Sequence, residues 1–249
     1  MIRALLRWLW MLAGWAELLL LTGLLYPLSF LPKRPGGRPW YRFLFRAWCR
    51  AWVDALGVDL RLHQKNRHPV PGHYILVANH PSAFEDIGIP ALFPVSSLAK
   101  IEVKSWPVVG RIAAAAGTLF VKRESRDSRR EASEALRRAL EQGLNVAVYP
   151  EGGIQGKRLH DHFRYGVFEL SLQTGVPILP IYLHYESQDD FHWGDEPLPR
   201  RILAFMLSRN NRVNYYRYDA FDPKDFEDHE SYCKHVYRKY LEWQSRYLD

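Results

Sequence analysis

One histidine stands close to two carboxylates, where an apolar run gives way to a helical pattern. His80 follows the apolar residues 74–78, and Glu85 and Asp86 come shortly after it. A histidine beside a carboxylate is the smallest unit that can act as a general base with an orienting partner. Ser82 and Glu85 also have the S-x-x-E spacing of a helix capping box, in which His80 is merely a turn residue. The spacing allows both interpretations.

The residues around His80 predict the elements that would hold it. Residues 74–78 (YILVA) are typical of a buried strand, and residues 79–82 (NHPS) indicate a sharp turn. A helical pattern begins at Ser82 and continues to Ile89. Because ligands of open α/β sheets bind beyond the carboxyl ends of the strands, we expect His80 to lie at the binding edge.

A second turn is predicted at the same edge. Residues 145–149 (NVAVY) predict a buried strand, and Pro150-Glu151-Gly152-Gly153 follows it directly. The two glycines would let a substrate approach the backbone closely. We expect Glu151 either to hydrogen-bond a substrate hydroxyl or to structure the turn.

Apolar runs of strand length alternate with segments of helical period along most of the chain. We predict strands at 58–62, 74–78, 97–99, 118–121, 145–149, 177–183 and 213–218. We predict helices at 40–56, from 82 onwards, at 128–142, at 165–174 and from about 223 to 247. This alternation is typical of an α/β domain, here with a central mixed sheet flanked by helices, and it leaves the strand order open.

The N-terminal segment is strongly apolar. Residues 8–31 carry a single charge, Glu17, and exceed the roughly 20 residues that a membrane-spanning helix needs. The run is too long for a signal peptide and has no clear cleavage site, so we expect it to be retained. Glu17 and Pro27 weaken the case for spanning, because a buried charge and a helix-interior proline are both costly. Spanning and shallow insertion both remain open.

The following helix, 40–56, has a basic stripe. Its arginines are spaced by four residues and are Arg42, Arg46 and Arg50. Such a helix is able to lie on an anionic bilayer, or it packs on the domain and presents a solvated face. We predict membrane-anchoring helices at 1–57 and a catalytic domain at 58–249. Because more basic residues follow residues 8–31 than precede them, a spanning helix would leave this domain on the cytoplasmic side, at the inner membrane in a bacterium.

The charge balance restricts the partners. Lys and Arg number 34 against 27 Asp and Glu, which gives a net charge of +7. An anionic membrane or an acidic substrate fits this charge, and we expect no nucleic-acid partner because the chain has no nucleic-acid-binding motif. Nine Trp and 14 Tyr also favour a protein at a membrane interface.

Metal ligands are sparse. Cys49 and Cys233 have no C-x-x-C partner, and we expect two reduced thiols. His160-Asp161-His162 would supply ligands to zinc, but no cysteine or clustered histidine completes the site. We therefore expect no metal and no cofactor.

Four blocks, in order, carry a resemblance to a known family. They are NHPSAFE at 79–85, GTLFVKR at 117–123, YPEGG at 149–153 and VPILPI at 176–181. The chain resembles the glycerolipid acyltransferases, the family of the 1-acylglycerol-3-phosphate acyltransferases, over about residues 40–220. The signatures of that family are N-H-x-S-x-x-D, G-x-x-F-[IV]-x-R, [FY]-P-E-G-[TS] and V-P-[IV]-x-P. Two positions depart from them, since Glu85 stands in place of the aspartate and Gly153 in place of the Thr or Ser.

The resemblance implies transfer of a fatty acyl chain from acyl-CoA or acyl-carrier protein to a hydroxyl of a lysophospholipid or related lysolipid. His80 would be the general base, with Glu85 or Asp86 as its partner. Arg123 would bind the acceptor phosphate, because a guanidinium matches a phosphate bidentately.

Other residues fit around this site, and other functions compete with it. Glu151 and Gly152 would shape the acceptor site, while Lys100 and Lys104 would face an anionic substrate or simply be solvated. Helix geometry favours Glu85 over Asp86 as the partner, because Asp86 is rotated by about 100° around the helix. The rival functions are a thioesterase or hydrolase, and a lipid-binding membrane protein without turnover.

Overall fold

The computed structural model describes residues 2–32, 38–122, 126–192 and 198–248. Within these residues, the apolar runs form a seven-stranded sheet in the order β1-β7-β6-β2-β5-β3-β4. The strands are β1 Asp59–Gln64, β2 Ile75–Ala78, β3 Val95–Lys100, β4 Leu119–Val121, β5 Asn145–Val148, β6 Ile178–Tyr185 and β7 Arg212–Arg217.

Helices cover both faces of this sheet. They are α1 Ile2–Leu28, α2 Pro39–Ala55, α3 Glu85–Leu92, α4 Ile101–Lys104, α5 Val109–Ala116, α6 Arg126–Glu141, α7 Gly166–Thr174, α8 Gln188–Phe191, α9 Leu198–Leu207 and α10 His229–Leu248. A short 3-10 helix occupies Pro223–Asp225. The α/β class predicted from the sequence is confirmed.

The sheet is mixed, as predicted. Strands β6, β2, β5, β3 and β4 are mutually parallel, β7 is antiparallel to β6, and β1 is parallel to β7. The carboxyl ends of the five parallel strands therefore meet at one edge. The turns after β2 and β5, which carry the candidate residues, lie side by side there.

Strand β2 lies in the centre of the sheet and is buried on both faces. Leu76 and Ala78 pack into the core formed with α2, α3 and α5. Ile75 and Val77 pack into the opposite core, formed with α6, α7 and α10. This burial explains the uninterrupted apolar sequence of the strand, which an exposed face would interrupt with polar residues.

The two N-terminal helices form a close antiparallel pair. Tyr41 Oη donates to the Leu25 carbonyl at 3.0 Å, and Trp48 Nε1 donates to Thr22 Oγ1 at 2.8 Å. Gly14 permits the close approach, since a Cβ there would lie 2.5 Å from the backbone nitrogen of Ala55. Among the described residues, α1 is the helix long and apolar enough to cross a membrane.

Arg46 and Arg50 of the basic stripe of α2 bind within the protein. Arg50 Nε donates to the Ala91 carbonyl at 2.9 Å, and an Arg46 guanidinium nitrogen donates to the Leu92 carbonyl at 3.4 Å. Both acceptors lie in the last turn of α3, where carbonyls have no partner within the helix. The Arg46 and Arg50 contacts thus show that α2 packs on the domain through these two residues.

Candidate active site

The backbone around His80 is held by three contacts. The Asn79 side chain pairs with the backbone of Leu183 in β6, donating at 3.0 Å and accepting at 2.7 Å. The His80 backbone N–H donates to Glu151 Oε1 at 2.7 Å, and the His80 carbonyl accepts from the Gln155 N–H at 3.0 Å. The turn after β2 is therefore fixed to its neighbours in the sheet.

The imidazole of His80 is oriented by a carboxylate and an aromatic ring. His80 Nδ1 lies 2.9 Å from Glu85 Oε2. The imidazole also stacks on the Tyr149 ring, with centroids 4.1 Å apart and planes 7° apart. Because an ionised carboxylate only accepts hydrogen bonds, this pairing places the proton on Nδ1 and leaves Nε2 unprotonated, as a general base requires.

Glu85 performs both functions that the sequence presented as alternatives. Its two oxygens each accept from the Ser82 backbone N–H at 3.1 Å, as the glutamate of a capping box does. The same carboxylate binds His80, and Tyr185 Oη donates to its Oε1. Helix α3 begins at Glu85 and not at Ser82, because Ser82 Oγ accepts from the Phe84 N–H and donates to the Phe191 carbonyl.

Burial controls the electrostatics of this carboxylate. Burial raises the pKa of Glu85 well above its usual range, and the hydrogen bonds from Tyr185 and Ser82 act in the opposite direction. Burial and the neighbouring Glu85 charge raise the pKa of Tyr185 well above its usual range. Tyr185 therefore stays protonated and donates its hydrogen bond to Glu85.

Glu151 is buried between two turns. Its Oε1 accepts from the His80 N–H and its Oε2 accepts from the His160 N–H, both at 2.7 Å. Burial raises the pKa of Glu151, and these two backbone donors lower it. The structure thus places Glu151 in the turn-structuring position, and its contact with a substrate hydroxyl stays a prediction.

Gly152 adjoins a cation that the sequence did not single out. Its φ of +77° favours glycine, and a Cβ there would lie 2.2 Å from Arg164 Nε. The exposed Arg164 side chain therefore lies on the backbone of Gly152. This contact joins two loops. The short spacings from which helices and turns are predicted therefore do not reveal it.

His80 lines an apolar cavity of about 460 Å³. This volume lies in the range of small-molecule sites. Helix α2 supplies Phe45, Trp48 and Trp52 to the wall, its C-cap residue Leu56 adds to it, and α9 supplies Ile202 and Phe205. Asp86 lines the same cavity, half-buried.

The predicted cations are less central. Lys100 is exposed at the end of β3 and lines the cavity, while Lys104 is exposed on α4 and does not line it. Arg123 follows β4 and lies outside the described residues, so its assignment to an acceptor phosphate stays a prediction.

His160, Asp161 and His162 come together on the surface. Nδ1 of His160 and of His162 lie 2.5 and 2.6 Å from the same oxygen, Asp161 Oδ1. The hydrogen bond from His162 and the charges of both histidines lower the pKa of Asp161. The absence of a metal stays a prediction for this cluster.

The position of the His80–Glu85 pair defines the class of protein. A buried histidine–carboxylate pair at the carboxyl edge of an α/β sheet, opening on an apolar cavity, suits an enzyme that activates a hydroxyl group beside an apolar substrate. A sequence profile of the Acyltransferase family matches residues 59–184, a little over half of the 249 residues. The chain belongs to the acyltransferase family, which confirms the resemblance.

Two relatives illustrate the range of this family. A 1-acyl-sn-glycerol-3-phosphate acyltransferase of Neisseria meningitidis is 32% identical over 142 residues, covering 56% of this chain and 54% of the relative. A lyso-ornithine lipid O-acyltransferase of Pseudomonas aeruginosa is 32% identical over 166 residues, covering 66% of this chain and 62% of the relative. The chain therefore matches little more than half the length of these relatives.

A solved structure shares the fold. The crystal structure of the 1-acyl-sn-glycerophosphate (LPA) acyltransferase PlsC from Thermotoga maritima matches with a TM-score of 0.65 at 22% identity. The match covers 98% of this chain and 96% of that one. The likeness thus includes the N-terminal helix pair as well as the sheet.

Proposed function

We propose that the protein is a membrane-associated O-acyltransferase that moves a fatty acyl chain from a thioester to a hydroxyl of a lysolipid. The observation that carries this proposal is the His80–Glu85 pair in the wall of an apolar cavity. Family membership and the names of the relatives support a lysolipid as the acceptor. The donor is acyl-CoA or acyl-carrier protein.

The chemistry follows from the orientation of the imidazole. Nε2 of His80 takes the proton of the acceptor hydroxyl as its oxygen attacks the thioester carbonyl. Glu85 stabilises the imidazolium that forms, and the tetrahedral intermediate then expels the thiolate. The imidazolium returns its proton to the thiolate, so an ester and a thiol leave and the enzyme is unchanged. No covalent acyl-enzyme is required.

The cavity suits an acyl chain. Its wall from α2 and α9 is aromatic and aliphatic, and His80 lies at the same surface. An acyl chain in this cavity would have its carbonyl group near Nε2 and its methylenes removed from water. Lys100 is exposed and lines the cavity, so its positive charge would attract the anionic part of a substrate.

The helix pair α1–α2 would bring this cavity to the bilayer. Arg7 donates to the carbonyls of Ser208 and Met206 at 2.7 and 3.0 Å, so the start of α1 is tied to the end of α9. The end of α2 leads directly into β1, so the start of α1 and the end of α2 are both held at the catalytic domain. This arrangement supports shallow insertion through the exposed apolar side chains of α1, with the domain on the anionic cytoplasmic face.

The apolar face of α1 is expected to hold the protein on membranes against high salt and carbonate. Leu19 and Leu20 are 67% and 75% exposed. Replacing both by glutamate should release the protein into the soluble fraction, because two charges would enter the apolar layer. Leu241→Glu, which charges an exposed leucine of α10, is the control and should leave the protein in the pellet. Retention of the double variant would contradict insertion through this face.

A panel assay tests the proposed function. Purified protein is given acyl-CoA or acyl-carrier protein with 1-acylglycerol-3-phosphate, a lyso-ornithine lipid or other lysolipids, and the acylated lipid is measured by mass spectrometry. We expect an acylated product with at least one pair. A thioesterase would release free fatty acid without an acceptor, and a lipid-binding protein would bind a lysolipid without turnover. Either of these two results would overturn the proposal.

Arg123→Ala is expected to raise the KM for the acceptor far more than the KM for the donor. A charge-assisted hydrogen bond to a phosphate contributes roughly 1.5–3 kcal/mol, which corresponds to about 10- to 150-fold. Lys122→Ala, which removes the neighbouring exposed cation, is the control and should affect both substrates little. Equal effects on both substrates, or an acceptor that has no phosphate, would remove this assignment.

A further inference from the structure

Tyr185 occupies the carboxyl end of β6, at the same sheet edge as His80. It is 2% exposed, and its hydroxyl donates to Glu85 Oε1. The other oxygen of the same carboxylate faces His80 Nδ1. Tyr185 therefore hydrogen-bonds directly to Glu85, the carboxylate that pairs with His80.

Glu85 stands where the family signature has an aspartate. The extra methylene lengthens the side chain by about 1.5 Å and adds a rotatable bond. A carboxylate on a longer arm needs more contacts to present one oxygen to His80 in a single geometry. Ser82 N–H and Tyr185 O–H supply these contacts.

We infer that Tyr185 is a positioning residue that adapts this active site to a glutamate at position 85. Its hydroxyl binds one oxygen of Glu85 and so directs the other oxygen at His80 Nδ1. The inference rests on the proposed function, in which His80 is the general base.

The Tyr185 hydroxyl is itself fixed in position. Its ring lies 4.9 Å from the Phe191 ring and 6.3 Å from the Phe84 ring, centroid to centroid. Both phenylalanines are buried, so the tyrosine has little freedom to follow a displaced carboxylate. The other titratable groups around the pair are Asp86 on α3, Tyr215 on β7, and Tyr149 and Glu151 after β5.

Tyr185→Phe is expected to lower turnover about tenfold and to move the acidic limb of the pH profile to higher pH. The loss corresponds to one hydrogen bond to a charged group. Without the hydroxyl, the negative charge of Glu85 is less stabilised and interacts more strongly with the adjacent imidazolium. His80 therefore stays protonated up to a higher pH. Because a general base must be unprotonated, kcat/KM then falls at a higher pH on the acidic side.

A double-mutant cycle tests the adaptation to glutamate. Glu85→Asp draws the carboxylate back from Tyr185, so Tyr185→Phe in that background should cost less than about threefold. Tyr232→Phe is the matched control, because Tyr232 is buried and its hydroxyl donates to the Phe221 carbonyl, away from His80. The control should lower the melting temperature without moving the pH limb.

A measurement without turnover separates this inference from the proposed function. Proteins labelled with ¹⁵N-histidine are titrated in detergent, with His80 assigned by the signals lost in His80→Ala. The midpoint of His80 should rise by roughly half to one pH unit in Tyr185→Phe. Tyr185→Leu, which also lacks the hydroxyl, should shift it in the same direction and is the second variant if Tyr185→Phe does not fold. If the wild type is inactive and Tyr185→Phe still shifts the midpoint of His80, only the proposed function is overturned. An unchanged midpoint, or an equal cost of Tyr185→Phe in both backgrounds, would overturn the inference.

Discussion

His80→Ala should abolish measurable acyl transfer, with kcat/KM lowered by about 10²–10⁴-fold, the usual value of a general base. The reason is that His80 lines the cavity and its Nδ1 is paired with Glu85, so Nε2 is the nitrogen that would take the proton of the acceptor. Membrane association should be unchanged, because the exposed apolar face of α1 does not involve this residue. The measurement is steady-state transfer in detergent, with a sedimentation assay in parallel.

The control for this variant lies at the other end of the same strand. His73 precedes β2 and its Nε2 lies 3.3 Å from the Leu144 carbonyl. His73→Ala should therefore retain most of the activity. Because the His80 ring stacks on Tyr149, a small loss of thermal stability is expected in His80→Ala. Near-normal turnover in a well-folded His80→Ala protein would overturn the mechanism.

Glu85→Gln should lower turnover by orders of magnitude, and Asp86→Asn should lower it far less. Among the described residues, Ser82, Tyr185 and His80 each donate a hydrogen bond to the Glu85 carboxylate. An amide replaces one accepting oxygen by a donating NH₂ group, so at least one of these contacts is lost together with the charge. The comparable change in a serine protease triad costs about 10⁴-fold in kcat.

The pair of variants distinguishes catalysis from helix capping. Both substitutions preserve shape, so turnover and melting temperature are measured for each. If Asp86→Asn is inactive and Glu85→Gln only lowers the melting temperature, then Asp86 is the partner of His80. In that case Glu85 serves the Ser82 N–H alone.

The sequence was most informative where one short segment forms the site. His80 and Glu85 are five positions apart, so a strand, a turn and a helix bring them together without any distant contact. The apolar runs at 74–78 and 145–149 predicted β2 and β5 because both strands are buried on two faces. Since ligands bind at the carboxyl ends of the strands, the turns of His80 and Glu151 could then be predicted to lie at the same edge of the sheet.

The sequence presented the capping contact of Glu85 and its pairing with His80 as alternatives, and the structure shows both contacts. A carboxylate has two oxygens and about four acceptor positions, so one side chain satisfies Ser82 N–H, His80 Nδ1 and Tyr185 Oη together. A motif assigns one role to a residue, whereas the number of hydrogen bonds it accepts depends on the packing around it.

Distant contacts were not predictable. Tyr185 is 100 positions from Glu85 and lies in an apolar strand, where a buried tyrosine looks like an ordinary core residue. The predicted strand ended at Leu183, two residues short of it. Helices α5 and α9 were also missed, because they are only 8 and 10 residues long and contain few repeats of the apolar helical period. Strand order depends on which buried faces pair, and the apolar pattern does not encode that choice.

The most direct measurement of the central claim follows donor thiol and acylated lipid in the same reaction, with and without lysolipid. Acyl transfer through His80 predicts that thiol and product appear in equal amounts, and that thiol release falls to background when the lysolipid is omitted. It also predicts that both signals disappear together in His80→Ala. Thiol release at the same rate without an acceptor, with free fatty acid as the product, would contradict the account.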